Sequence, residues 1–414
     1  MSQQPKTQVS GFRWTNLFVY ILICFMAGVG QMALSPMLAV MAERWRISFG
    51  DAALVMIALG IFQVFLSLPA GALSQKVGFK PVVCIGSTLL AIGYLFRGSA
   101  DNFSGFMIWN VVAGLGWGLI WAPVGTLVVN WFPHQEIGQA NAYWPAGLSA
   151  GQAVGSLTVL AFFAASRADW AATWRPYGIL AVAVTALAWV VLKERPAVPP
   201  EPRPPMKPFS LGEGLKQVLT PVTIPLQYTV LATVGSLATG PALLAPLLMG
   251  TYRMAPATAG VVSGLALVGG AIGSFFLPTI AFRSARVRTY TLLYAVLAPI
   301  FFILQFIWPV TASSAMLLAI PSFLFGFFAA PVMGIAMGVG QMQPSVTPMN
   351  AGILAGIYLT SIGIGAALIS QIVSRVVDAS GGSYAAGAWV ATALMVLSLG
   401  TVWMAIKGGG RPQG

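Results

Sequence analysis

The chain has 414 residues, of which 57% are hydrophobic and only 7% charged, and its mean hydropathy is +0.84. Soluble domains carry about 25% charged residues, so a cytosolic enzyme, a disulfide-rich secreted scaffold and a disordered regulator are excluded, and the chain belongs in a bilayer. The net charge of +12 comes from basic residues set between apolar runs, a pattern that orients a membrane protein rather than one that binds nucleic acid.

In chain order, residues 1–15 are polar and read as a tail. No small-residue cleavage site follows, so the first apolar run is expected to be retained as a span. A membrane-crossing helix needs about 20 apolar residues. Six such runs are expected near 17–40, 52–73, 81–99, 105–130, 140–165 and 176–192, forming a bundle over 16–192. Residues 193–219 turn polar and hold Pro196, Pro199, Pro200, Pro202, Pro204, Pro205 and Pro208, which predicts an extended, semi-rigid linker. Six more runs follow near 221–248, 257–280, 289–308, 314–340, 350–373 and 384–406, a second bundle over 220–406 with a tail over 407–414. Most basic residues fall on the side of the tails and linker, among them Lys76, Lys80, Lys193, Arg283, Arg286 and Arg288. The positive-inside rule makes that side cytoplasmic.

The two halves share landmarks at an offset of about half the chain. Leu68-Pro69 matches Leu277-Pro278, Ala122-Pro123-Val124 matches Ala330-Pro331-Val332, and Asn141-Ala142 matches Asn350-Ala351. Such an order points to a duplicated six-helix unit, an alternating-access architecture with a site at mid-depth. Cys24 and Cys84 lie in apolar runs and read as packed thiols, and His134 alone cannot build an imidazole metal site. There is no phosphate-cradling loop and no serine with a histidine base inside a span, so an enzyme is not expected.

The segment Gly71-Ala-Leu-Ser-Gln-Lys-Val-Gly78-Phe-Lys80 resembles the loop signature of the major facilitator superfamily: a glycine, then an acidic residue, a basic residue, a glycine and further basic residues. Gly71, Lys76, Gly78 and Lys80 match it. Gln75 stands at the acidic position and Phe79 at a basic one. Arg283, Arg286 and Arg288 form a degraded second copy. Asn110-Val-Val-Ala-Gly114-Leu-Gly116 is similar to another motif of the family, with Asn110 in place of an arginine often linked to proton coupling. Trp131-Phe132-Pro133 with Gln139-Ala140-Asn141 resembles the junction of helices four and five in anion- and small-solute-transporting branches. The resemblance covers essentially the whole chain. It implies an all-α transporter of twelve helices in two bundles related by a pseudo-two-fold axis, with helices one, four, seven and ten lining the cavity. It also implies a gate at Gly71, Gln75, Lys76, Gly78 and Lys80. Helices five and eight meet between the halves in this fold, so Gly147 and Gly151, with Gly155 and the glycines of helix eight, are expected to form a sliding contact, the alternative being ordinary packing within a bundle.

The 21 basic and nine acidic residues all fall in loops or near helix ends on these boundaries. A boundary displaced by a turn would bring Arg97, Arg175 or Arg375 inward. Without buried charge, the substrate site must use neutral groups. The candidates are Gln31, Ser35, Asn110, Trp117, Trp121, Gln227, Tyr228 and Tyr358, with Gln63, Trp144, Gln152 and Gln341 nearby. Trp117 and Trp121 are four apart and share a helix face, and Asn110, seven before Trp117, shares it too. Amides with aromatic faces suit a neutral polar solute or an organic cation. Met37 with Met41, and Met333 with Met337, offer thioether pairs for a soft ion or plain packing. Pro36, Pro123, Pro241 and Pro331 are expected to bend their helices. The function expected is a secondary transporter or facilitator of a small organic solute, without cofactor. Alternatives are a multidrug exporter, a small-anion transporter and a non-transporting receptor. The expected setting is an inner (plasma) membrane, as a monomer with lipid and a small-molecule substrate as its partners and no nucleic acid.

Overall fold

The computed structural model describes residues 10–194, 210–284 and 286–408. Much of the expected linker, and parts of both tails, lie outside the described residues. The first span is α1 (Phe12–Met32), a 3-10 turn at Ser35–Met37 and α2 (Leu38–Trp45). It is followed by α3 (Phe49–Lys76), α4 (Phe79–Phe96), a broken fourth span of α5 (Phe103–Ile120) and α6 (Pro123–Trp131), α7 (Ile137–Ala165) and α8 (Trp170–Val191). After the short α9 (Leu211–Val218) come α10 (Thr223–Gly250), α11 (Pro256–Arg283), α12 (Val287–Ile307), a broken tenth span of α13 (Ala319–Ala329) and α14 (Pro331–Gln341), α15 (Ala351–Ala379) and α16 (Tyr384–Gly408). Among the described residues, eleven spans are long and apolar enough to cross a membrane, and Tyr384–Gly400 within α16 is a shorter apolar twelfth.

Polar caps start the helices. The side chains of Ser48, Asn102 and Asp169 accept the backbone N–H of Asp51, Gly105 and Ala172, closing the first turns of α3, α5 and α8. The stretch expected to be extended linker ends instead in α9. Ser210 and Glu213 form a reciprocal capping box there, which outweighs the proline-rich composition just before it.

Three of the four prolines expected to bend their helices interrupt them, and Pro241 does not. Pro123 has no N–H, and the residues after it bond three back: Val124 N–H to the Trp121 carbonyl at 3.2 Å and Gly125 N–H to that of Ala122 at 3.1 Å. The Ile120 carbonyl is thereby released from the helix. The buried Tyr20 hydroxyl lies 2.9 Å from it and 3.1 Å from the Trp121 carbonyl, so protein rather than solute satisfies the break. Pro331 divides α13 from α14 at the equivalent place, and Pro36 sits in the 3-10 turn after α1. Pro241, with Pro246, lies inside the continuous α10. The repeat also shows in the backbone: Arg46 after α2 and Arg253 after α10 both adopt left-handed φ, 51° and 53°.

The first six spans pack mainly on one another, and so do the last six. The seam between them is made by α3 with α15, α7 with α11 and α14, and α6 with α15. Gly147, Gly151 and Gly155 of α7 do not form it. A Cβ at Gly147 would press on the Ile21 side chain, and one at Gly151 or Gly155 would overlap the carbonyl oxygen of Phe25 or Val29, all on α1. Gly269 and Gly273 of α11 face α13 in the same way, while Gly260 and Gly264 face open space. The expected sliding contact at Gly147 and Gly151 is therefore corrected to close packing within each half, where small residues let backbones approach.

Candidate functional site

At the end carrying the basic loops, the halves are locked together. Gly71 of α3 meets the carbonyl of Gly352 at the start of α15 so closely that neither admits a side chain. Beside it the Ser74 and Thr126 hydroxyls bond at 2.9 Å, and Ser74 also donates to the Gly71 carbonyl at 2.8 Å. Asn141 Nδ2 donates to Gln341 Oε1 across the seam at 2.9 Å, and a His134 ring nitrogen lies 3.2 Å from the Met342 carbonyl. Gly138 packs on Phe282 and Gly338.

The loop Lys76–Lys80 turns at Gly78, whose φ of 97° and ψ of 159° suit glycine alone. Gln75, at the acidic position, forms no ion pair, and its Nε2 is buried without a partner. The acid at this loop is Glu194, just after α8. Its two oxygens accept the N–H groups of Phe79 and Lys80, each at 2.9 Å, and so cap α4. Trp131 Nε1 donates to the Glu194 carbonyl at 3.3 Å, and Asn16 clasps the backbone of Lys193 through both its side-chain atoms. Lys76 is exposed and Lys80 half-buried. The sequence reading missed Glu194, because a cap supplied from 115 residues away leaves no local spacing to find.

At mid-depth the seam carries an aromatic and amide cluster. Trp117 and Trp121 meet edge to face with ring centres 4.7 Å apart, and Trp121 lies 5.9 Å from Trp144. Gln63 of α3 joins the halves: its Oε1 accepts from Trp117 Nε1 at 3.0 Å, and its Nε2 donates to the Leu359 carbonyl of α15 at 3.1 Å. One continuous buried cluster holds these tryptophans together with Met333, Met337 and Tyr358 of the other half. The indole N–H of Trp121, that of Trp144 and the hydroxyl of Tyr358 are buried with no acceptor. Gln31 and Gln152, both half-buried, pair at 2.8 Å between α1 and α7.

Other predicted residues lie elsewhere. Asn110 does share the inward face of α5, but its Nδ2 donates to the Val55 carbonyl at 2.6 Å and ties α5 to α3. Tyr228 donates to the Leu394 carbonyl at 3.3 Å, joining α10 to α16 within one half. Ser35 is exposed on its 3-10 turn, and Gln227 is half-buried with its Nε2 unpartnered. Met37 and Met41 belong to the buried cluster as packing residues, as do Met333 and Met337. Cys24 and Cys84 are free and buried. The expectation that no charge is buried fails at one place: Arg97 is 0% exposed, whereas Arg175 and Arg375 face outward.

This arrangement of two bundles, a glycine-turned loop and a sealed seam is that of a membrane transporter. The chain belongs to the Major Facilitator Superfamily, whose family model matches residues 20–370. Its fold is that of the fucose:proton symporter FucP of E. coli. It matches a variant of that protein with a TM-score of 0.73 at 16% identity, and its outward conformation with 0.74 at 14%. Both matches cover 95% of this chain and 99% of the other. Among curated proteins, a stretch of 140 residues is 25% identical to the quinolone resistance protein NorA of Staphylococcus aureus, covering 34% of this chain and 36% of the relative. Another of 136 residues is 27% identical to the 4-hydroxybenzoate transporter PcaK of Pseudomonas putida, covering 33% and 30%. The chain thus spans about a third of the length of the curated relatives it matches.

Proposed function

We propose that the protein moves a small organic solute across the plasma membrane by alternating access, with the basic end and both termini cytoplasmic, and that it acts as a monomer. In this reading the sealed basic end is the closed cytoplasmic gate, so the solute site faces outward. The hydrogen bonds that cross the seam run from the Asn141–Gln341 pair up to Gln63–Leu359 and to Thr360, which bonds the Val64 carbonyl at 3.3 Å.

One observation carries the choice of solute: the unpartnered indole N–H groups of Trp121 and Trp144 can only donate, and the unpartnered Tyr358 hydroxyl can donate as well. Buried donors without acceptors are costly, and a solute carrying hydroxyl or carbonyl oxygens would relieve that cost while its apolar parts lie on the indoles. Such a site prefers a neutral, acceptor-bearing solute to a cation. The cross-seam cluster includes no Asp, Glu, Lys or Arg among the described residues, so uniport or exchange fits better than obligate proton symport.

The test is solute flux into liposomes containing the purified protein. Trp121→Phe and Tyr358→Phe keep the rings and remove the donors. Each is expected to raise the half-saturating solute concentration about fivefold, since one hydrogen bond is worth about 1 kcal/mol. Unchanged flux in both variants would remove this site. A second reading, export of apolar cations, is favoured by the clustered tryptophans and by the similarity to a quinolone resistance protein. It predicts that cells expressing the protein extrude cationic dyes, and that Trp117→Ala abolishes this.

A further inference from the structure

Arg97 closes the third span on a 3-10 turn, Arg97–Ser99, at the end of the bundle far from the basic loops. Its side chain turns inward among α1, α4 and α8. Nη1 donates to the Gly30 carbonyl at 2.9 Å, and the guanidinium carbon lies 4.5 Å from the Tyr94 ring centre and 4.2 Å from that of Trp174. No carboxylate among the described residues pairs with it. Nε and Nη2 have no acceptor at all.

These two donors are not an arbitrary pair. They lie along one edge of the planar guanidinium, the edge that forms a two-point fork with a carboxylate. The same chain shows the fork in use: Arg13 gives Nε and Nη2 to the two oxygens of Glu136 at 2.8 and 3.1 Å. At Arg97 the edge is set and the acid is missing. The surrounding wall is also short of acceptors. The indole N–H groups of Trp45, Trp170 and Trp174 are all buried and unpartnered, and their rings form a continuous row with centres 5.0 and 5.6 Å apart. Beside the turn, a cleft of about 420 Å³ is lined by Gly98 and Trp170 together with Arg44, Asp101, Arg167 and Asp169.

We propose that Arg97 is a binding site for the carboxylate of a small organic acid, reached from this cleft and lying inside the first bundle, apart from the seam. The single buried cation selects a monoanion, because a sulfate or phosphate dianion would bring a second charge with no second buried cation to meet it. The tryptophan row gives the acid's apolar body a surface and its remaining lone pairs a donor. The inference does not depend on which solute crosses the seam.

The test uses the full-length purified protein and three sodium salts, acetate, benzoate and sulfate, against chloride at equal ionic strength. Thermal unfolding and intrinsic tryptophan fluorescence are followed during each titration. Acetate and benzoate should raise the melting temperature in a saturable way and change the emission, with benzoate the tighter. Sulfate and chloride should do neither. Arg97→Lys keeps the charge but loses the fork, and is expected to weaken the carboxylate effect at least tenfold. If that variant does not fold, Trp174→Phe in a folded protein should remove the carboxylate-dependent part of the emission change. Absence of any carboxylate-specific shift in the wild type overturns the proposal. So does a shift that survives Arg97→Lys or leaves the Trp174→Phe emission response intact. A carboxylate shift lost in Tyr358→Phe and kept in Arg97→Lys would place the acid at the seam, and would leave the transport reading standing while removing this one.

Discussion

Gly78 shows how much one residue can hold in this protein. Its backbone angles are closed to other residues, and a Cβ there would press into the carboxyl group of Glu194. Gly78→Ala therefore meets two costs: strain of about 1–3 kcal/mol for the conformation, and loss of charge-assisted bonds of about 1.5–3 kcal/mol if the carboxylate is displaced. Glu194→Gln keeps one acceptor oxygen and the glycine turn, so its loss should be the smaller. Thermal unfolding in detergent should rank the stabilities as wild type, then Glu194→Gln, then Gly78→Ala; the reverse order would show that the turn, not the cap, is dispensable. The glycine was legible from the sequence because its neighbours follow a recognisable loop pattern. Glu194 was not, because only the folded chain brings it to the start of α4. Arg97 was half legible: its place at a helix end could be read, but whether a long side chain at that position turns in or out is decided by Tyr94 and Trp174, which lie on two different helices.

Among the elements, the spans themselves were readable from length and apolarity, to within six residues at their starts, as at α8. Their neighbours were not. The glycines of α7 recur every four residues and define a face, but the spacing is silent on which helix that face meets. The contrast gives a prediction. Gly151→Val forces a side chain into the carbonyl of Phe25, and should reduce the yield of folded protein rather than slow the transport of what folds. Gly264→Ala has open space around it and should fold normally, because alanine is the better helix former by about 1 kcal/mol. Size-exclusion profiles of the two variants decide this, and a folded but inactive Gly151→Val would restore the sliding contact. The short α9 follows a different rule. Its capping carboxylate, Glu213, is held below the usual carboxylate range by the N–H and hydroxyl of Ser210. The charged form thus stabilises the folded cap above the ordinary glutamate range, and this contribution is lost as pH falls through the lowered value. Protection from hydrogen exchange at Leu211–Val218, taken relative to the intrinsic exchange rate, should fall as the pH drops below the ordinary glutamate range, and Glu213→Gln should remove that dependence.

For the whole molecule, transport requires the sealed end to open, and the strength of the seal sets how readily it does. The lock is made of contacts that are shallow one by one. Asn141 and Gln341 share a single bond, and the remaining atoms, Asn141 Oδ1 and Gln341 Nε2, are buried and unpartnered. Such a pair contributes less than a fully satisfied one, since each leftover group keeps its desolvation cost. The glycine contacts at Gly71 and Gly352 are stricter in shape, but they too are undone without breaking any covalent or ionic link. A seal of this kind suits a carrier whose basic end must open in every cycle. Gln341→Leu removes the bond and also the unpaired Nε2, but strands Asn141 Nδ2 with only its bond to the Ile137 carbonyl. The net effect should be about 1 kcal/mol against the sealed state, a shift of roughly fivefold in the ratio of closed to open basic ends. Lys76 on the first half and Arg283 on the second are both exposed at that end, so spin labels placed there report the opening as a distance. The wild type should give one short distance, and Gln341→Leu should add a longer population that grows when solute is supplied. If the variant keeps the single short distance, the seal rests on the glycine contacts instead, and Gly352→Ala becomes the substitution that should open it.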